Sequence, residues 1–251
     1  MKNLSLAMGL LLAGSLGPAR SETLVERLLQ GYESIQTVTC ELRRDVVSPS
    51  GKLRMLSRVH YQRPDRLHVE NAAPVHRRIM ADGTTFFSYA DGDPKGFSRP
   101  IEQLDEAMLI GLRKVPGTAM EYLLRLRGVA ETNLPATAEF PVRRGYAAPK
   151  VFAVLSLDAT GRLARIEFFA TPEMKTQTAQ YDYSAFREVL PGVWLPCLHQ
   201  GHLNLGGAES LETTRVDNLS VDAPLAPSLF VAGPFFKGVK FVPSFEDIYG
   251  P

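Results

Sequence analysis

Apolar and polar residues alternate with a period of two in 37–47, where Val38, Cys40, Leu42 and Val46 interleave with Thr37, Thr39, Glu41, Arg43 and Asp45. The same alternation returns from 150 onward, in runs 150–157, 162–170, 176–187, 193–205 and 209–221. A period of two is the mark of half-buried strands, and so many of them require a large sheet. Two stretches leave that period. Thr23-Leu24-Val25-Glu26 has the form of a capping box, and Leu24, Leu28 and Tyr32 follow at helical spacing with Val25 and Leu29 beside them, which predicts a helix over 23–34. Ile101, Leu104, Met108, Leu112 and Val115 form a second helical stripe; Pro116-Gly117 interrupts it, and a further helix runs from Thr118 to Arg127.

Between these landmarks the strands are short and punctuated. Ser48-Pro49-Ser50-Gly51 is a turn, 53–63 is the returning strand, and its alternation continues past Pro64. Ala81-Asp82-Gly83 signals a hairpin joining 75–80 to 84–90. Residues 128–149, rich in Pro, Ala and Gly, read as a loop. Strands, one helical pair and strands again predict an α+β fold: a large antiparallel sheet with helices on one face, curled or forming an open barrel. No composition shift divides the chain, so 22–251 is expected to be a single domain.

Charge narrows the partners. Lys plus Arg number 28 and Asp plus Glu 27, for a net charge of +1. Such a balance leaves no basic footprint for nucleic acid and no polybasic membrane patch. Lys2, the apolar run Leu4–Leu16 and Ala19-Arg20-Ser21 before Glu22 read as a cleavable export signal over 1–21, with an uncleaved N-terminal anchor as the alternative. Ser15 stands where a bacterial lipoprotein would carry its lipidated cysteine, so the exported chain is expected to be soluble and unlipidated.

Catalytic signatures are missing: no G-x-S-x-G, Walker loop, H-E-x-x-H or paired C-x-x-C occurs. Cys197, His199 and His202 are the best metal-ligand set, but no second cluster supports them and no metal is expected. The expectation is a protein that is not an enzyme, has no cofactor and works as a monomer. One local rule is broken: parity puts Arg63 on the same face as Val59, Tyr61, Leu67 and Val69, and Arg44 with Cys40 and Leu42. A guanidinium on an apolar face must either snorkel to the rim or find partners in a cavity.

The segment Arg63-Pro64-Asp65-Arg66-Leu67, followed by Ala81-Asp82-Gly83-Thr84-Thr85-Phe86-Phe87-Ser88-Tyr89, resembles the R-P-x-x-(apolar) and D-G-K-T-L-W-x-Y pattern of LolA-type periplasmic lipoprotein carriers. Phe186-Arg187-Glu188-Val189-Leu190-Pro191-Gly192-Val193-Trp194-Leu195-Pro196, Asp222-Ala223-Pro224 and Ser228-Leu229-Phe230 are similar to the C-terminal half of that superfamily. The resemblance implies an unclosed, strongly curved antiparallel half-barrel with an N-terminal helix and two lid helices, about 101–127, on its concave side. It also implies a periplasmic carrier of acyl chains with a membrane-bound donor and acceptor, or alternatively an envelope-stress sensor of the RseB type that binds a protein partner. Arg63 occupies the position that holds the lid. The expected cavity wall is Tyr61, Leu67, Val69, Phe87 and Tyr89 on the sheet, with Met108, Leu112, Leu123 and Leu124 on the lid. Parity places Cys40 and Cys197 on apolar faces, and curling of the sheet leaves either a disulfide or two free thiols open. The tail from 231 to 251, with Phe235, Phe236, Phe241, Phe245 and Tyr249, is expected to be an ordered cover.

Overall fold

The period-two runs become strands of one sheet in the computed structural model, which describes residues 22–248. The expected export signal and Tyr249 lie outside those residues. Helix α1 (Leu24–Glu33) precedes β1 (Thr37–Ser48), β2 (Gly51–Gln62), β3 (Arg66–Ala73), β4 (Arg77–Asp82), β5 (Thr85–Ala90) and β6 (Gly96–Pro100). Helices α2 (Glu106–Arg113) and α3 (Met120–Leu126) follow. Next come β7 (Glu131–Leu134), β8 (Val142–Ala148), β9 (Val151–Leu157), β10 (Leu163–Phe169), β11 (Gln177–Leu190), β12 (Val193–Leu205) and β13 (Ala208–Val221). The tail adds α4 (Ala232–Phe235) and β14 (Phe241–Val242).

Two antiparallel meanders meet where β13 pairs with β1, so early and late strands are neighbours at the centre of the sheet. The order runs from β14 at one edge, through β6 to β1 and β13 to β8, to β7 at the other, and the edges do not meet. This is the unclosed, curved α+β sheet expected. Its inner face wraps the helices: Leu24, Val25, Leu29 and Tyr32 of α1 and Met120, Leu123 and Leu126 of α3 share one core with Phe97 on β6 and Tyr146, Leu155 and Ile166 on β8–β10.

α1 starts where its capping box predicts. The Thr23 N–H donates to Glu26 Oε2 at 2.9 Å, and the Glu26 N–H donates to Thr23 Oγ1 at 3.2 Å. Three expectations need correcting. The stripe 101–115 is not one helix, because Leu104 is extended and Asp105 caps a fresh start, its carboxylate accepting from the Met108 N–H at 2.8 Å. The run past Pro64 is a hairpin rather than a continuing strand: Gln62 pairs with Arg66 and Tyr61 with Leu67. A three-residue turn conserves parity, which is why the alternation survives it. The supposed loop 128–149 contains β7 and β8, fixed by Glu131. That carboxylate accepts from the Leu24 N–H at 2.8 Å, the Tyr146 hydroxyl at 2.6 Å and Arg144 Nε at 3.0 Å.

The tail behaves as a strap. Phe230 is buried, and Phe235 packs edge-on to His68 on the outer face. Phe236 and Phe241 pack on Phe87. β14 then pairs in parallel with β6, a close approach that only Gly96 allows, since a Cβ there would lie 2.6 Å from the Phe241 ring. Beyond that edge the chain turns inward: Phe245 stacks on Phe97 at 4.0 Å between ring centroids, and Ile248 joins the inner core.

Candidate functional site

Helices cover the inner face unevenly. α1 and α3 fill the space over β8–β12, whereas α2 buries only Leu112 fully and leaves Met108 and Leu109 half-buried. A cavity of about 440 Å³ remains between the sheet and the α2–α3 connection, a size typical of small-ligand sites. One wall is mainly apolar: Leu42, Met55, Val59, Leu67, Val69 and Ile79, from β1–β4, with Ser57 and Asn71 beside them satisfying each other at 2.7 Å. The other holds Tyr181, Tyr183, His199, Thr214 and Glu212 from β11–β13, with Lys114, Glu121 and Tyr122 from the helical side.

Ladder register explains the second wall. Tyr183 pairs with His199, His199 with Thr214, Thr214 with Arg44 and Arg44 with Met55, one continuous row across five strands. Its charged members are matched. Arg44 Nη2 donates to Glu212 Oε2 at 2.5 Å, Thr214 Oγ1 donates to Glu212 Oε1 at 3.3 Å, and Lys114 pairs with Glu121. Burial holds His199 below the usual histidine range and therefore neutral. It also keeps the Tyr183 phenol protonated far above the ordinary tyrosine range.

A turn fastens the cover. Tyr61 Oη donates to the Arg113 carbonyl at 2.8 Å, and Arg113 grips Asp65 through Nε at 2.6 Å and Nη2 at 3.1 Å. These bonds tie the C-terminal end of α2 to the β2–β3 turn. Gly117, with φ +74°, shapes the α2–α3 connection where a Cβ would press 3.0 Å from Val216.

No protein-family model and no curated protein sequence matches the chain. Solved structures do match. A putative outer membrane lipoprotein-sorting protein domain from Vibrio parahaemolyticus superposes with TM-score 0.53 at 9% identity, covering 84% of this chain and 96% of its own. A LolA superfamily protein from Nitrosomonas europaea gives TM-score 0.52 at 11% identity over 82% and 97%. The fold is LolA-like. A DUF1329 family protein from Desulfovibrio piger shares it, with TM-score 0.54 at 11% identity over 84% of this chain and 95% of its own.

Within this LolA-like sheet the expected site residues divide. Leu67 and Val69 line the cavity. Tyr61 lies beneath it as the tie to α2, Leu112 and Leu123 are fully buried in the core, and Met108 and Leu124 pack partly buried against that core. Phe87 and Tyr89 are not cavity wall. Register puts Ala81 opposite Phe86 and Ile79 opposite Ser88, so Phe86 and Ser88 take the inner face, and Phe87 meets the strap outside. Arg63 donates its backbone N–H to the Gln36 carbonyl at 2.9 Å and leaves Nη1 buried without a partner. The ion pair to α2 belongs to Asp65, two residues on.

Cys40 and Cys197 are free thiols. β13 stands between their strands, and two strand spacings come to about 9.6 Å, beyond the roughly 7 Å that a disulfide spans. Burial pushes the Cys40 thiol up to about 12. Among the described residues no three His, Cys, Asp or Glu side chains gather as a metal site. His202 instead approaches Glu209 at 3.9 Å. Sequence reasoning flagged Arg44, and His199 as a metal-ligand candidate, but missed Tyr181, Tyr183 and Thr214. The pairing register that aligns Tyr183 and Thr214 with Arg44, and sets Tyr181 one row away beside Glu212, is not written in any one strand.

Proposed function

We propose that the protein is a non-enzymatic carrier or binding module for a lipidic ligand, such as the acyl chains of a lipoprotein. The single observation that carries this reading is the apolar wall of the 440 Å³ cavity, six apolar side chains on four adjacent strands. Each methylene withdrawn from water there contributes roughly 0.8 kcal/mol, so binding needs no chemistry beyond burial. The likeness to a putative outer membrane lipoprotein-sorting protein domain of Vibrio parahaemolyticus supports the same reading. We place the action in the periplasm, reached by cleavage of the 1–21 signal, with a monomer exchanging ligand between membrane-bound donor and acceptor. α2 is the lid, and its ties through Tyr61 and Asp65 are the bonds that opening must break, with Arg63 in the same turn.

Native mass spectrometry of the purified protein, before and after lipid extraction, tests this. The expected result is a co-purified or re-added lipid retained at one copy per chain. Protein that arrives empty and takes up no acyl lipid would overturn it.

A further inference from the structure

The cavity's polar wall limits what the head of that lipid can be. All four full charges lining the cavity are already matched: Arg44 by Glu212, Lys114 by Glu121. Glu212 also accepts from Thr214. A ligand bearing a net charge would add an uncompensated charge to a partly buried site whose own charges already balance. Between the pairs lies a stretch of uncharged hydrogen-bonding groups. The rings of Tyr122 and Tyr181 lie 4.9 Å apart. Those of Tyr183 and His199 meet edge-to-face at 5.1 Å. His199 Nε2 is buried without a hydrogen bond of good geometry, the Pro196 and Gly117 carbonyls lying only nearby, an arrangement that a ligand's polar group would relieve.

We infer that the cavity selects an acyl lipid whose polar junction is uncharged, an ester or hydroxyl head of the acylglycerol kind, seated on the row Tyr183–His199–Thr214 with its chain along Val59, Leu67, Val69 and Ile79. The inference rests on the carrier reading above and adds the head-group class to it. A fatty-acid anion offers the same chain with the wrong charge, and a zwitterionic lysophospholipid has two charges to place among pairs that are already closed.

The test compares 1-monolauroylglycerol, laurate and lauroyl lysophosphatidylethanolamine, titrated calorimetrically at pH 8 into delipidated full-length protein. Monolauroylglycerol is expected to bind about tenfold or more tightly than either charged lipid, a gap of roughly 1.4 kcal/mol. His199→Phe should narrow that preference to about threefold or less while melting normally, and Thr214→Val in the same row serves if His199→Phe does not fold. Laurate binding as well as monolauroylglycerol would overturn the head-group assignment and leave the carrier reading standing. A preference unchanged in the variant would overturn the role of the row. Failure of all three lipids to bind would sink the carrier reading itself and this inference with it.

Discussion

β2–β4 and β11–β13 face one cavity from two sides, yet they bring opposite chemistry to it. On β2–β4 the inward rows are Val59, Val69 and Ile79, then Tyr61, Leu67 and Ala81, paired directly across the ladder. On β11–β13 the inward row is Tyr183, His199 and Thr214, continued by Arg44 on β1. Backing differs too. The outer face of β3–β5 is sealed by the aromatic strap, while the polar wall is closed by its own ion pairs. A surface meant only to be buried would be apolar on both sides, so the contrast agrees with the amphipathic occupant proposed above.

The strongest way to break the contrast is to make the apolar wall polar. Val69→Asp puts an unpaired carboxylate among Val59, Leu67 and Ile79, and burying such a group without a partner costs several kcal/mol or forces it to stay protonated. Lipid binding should fall by about a hundredfold or more, since about 2.7 kcal/mol suffices for that. The same carboxylate introduced at Lys240, on the exposed surface, should change nothing. Isothermal titration with a lauroyl lipid reads both, and retention of affinity in Val69→Asp would show that the chain lies elsewhere.

The next largest effect concerns the backing of that wall. Gly96→Ala drives a methyl to 2.6 Å from the Phe241 ring, so the strap must shift or β14 must detach. Overpacking of this kind costs about 1–3 kcal/mol. Melting temperature should drop, and amide exchange in 235–242 should quicken before exchange in β9 does. A variant that melts like the parent would mean the strap is not tightly seated against β6.

How much of this was legible in the sequence follows the same line. β1 and β2 could be read from alternation alone, and so could the inward placement of Leu67 and Val69, because a turn with an odd residue count preserves parity. Phe87 and Tyr89 were misplaced because the Asp82-Gly83 turn does not itself say which of Phe86 and Phe87 faces inward; the pairing of Ala81 with Phe86 decides it. β7 and β8 were hidden by a Pro- and Ala-rich composition, and only the long-range Glu131 bonds to Leu24 and Tyr146 explain them. Tyr183, Thr214 and Arg44 become one site only through a register between strands far apart in the chain. Local patterns carry parity, and tertiary pairing carries the site.

Acid should weaken the polar wall and leave the apolar one untouched. His199 is held below the ordinary histidine range, first by burial and further by Lys114, against the opposing pull of nearby carbonyls and Glu212. His68 and His60 on the outer face are lowered the same way, chiefly by burial, with Arg78 and Arg58 adding to it and Glu70 opposing. A histidine whose folded pKa is depressed contributes nothing above the unfolded value, where both states are neutral. As pH falls below about 6.5 the unfolded chain takes up protons that the fold refuses, and stability declines until the folded pKa is passed. Urea midpoints measured from pH 8 to pH 5 should therefore fall below pH 6.5. His199→Gln should blunt that slope without altering the part due to His68; an identical slope in the variant would show that His199 titrates freely and the polar wall is open to water.

The smallest effect separates the charged rim from the neutral row beside it. Arg44 bonds Glu212, but 47% of its side chain is exposed against 19% for Glu212. A pair so far into solvent contributes about 0.5 kcal/mol, and salt screens it. Arg44→Gln should thus leave the melt almost unchanged. It does, however, leave Glu212 with Thr214 as its remaining partner, a carboxylate facing the cavity with its counter-charge gone. Its consequence should appear in selectivity, as weaker binding of laurate with monolauroylglycerol unaffected, and the difference should shrink as salt is raised from low ionic strength to 0.5 M. Tyr183→Phe, by contrast, should alter monolauroylglycerol binding at every salt concentration, because its hydroxyl acts as a neutral hydrogen-bonding group that screening does not reach. Equal salt sensitivity in the two variants would erase the distinction between rim and row, and with it the argument that the wall selects for an uncharged head.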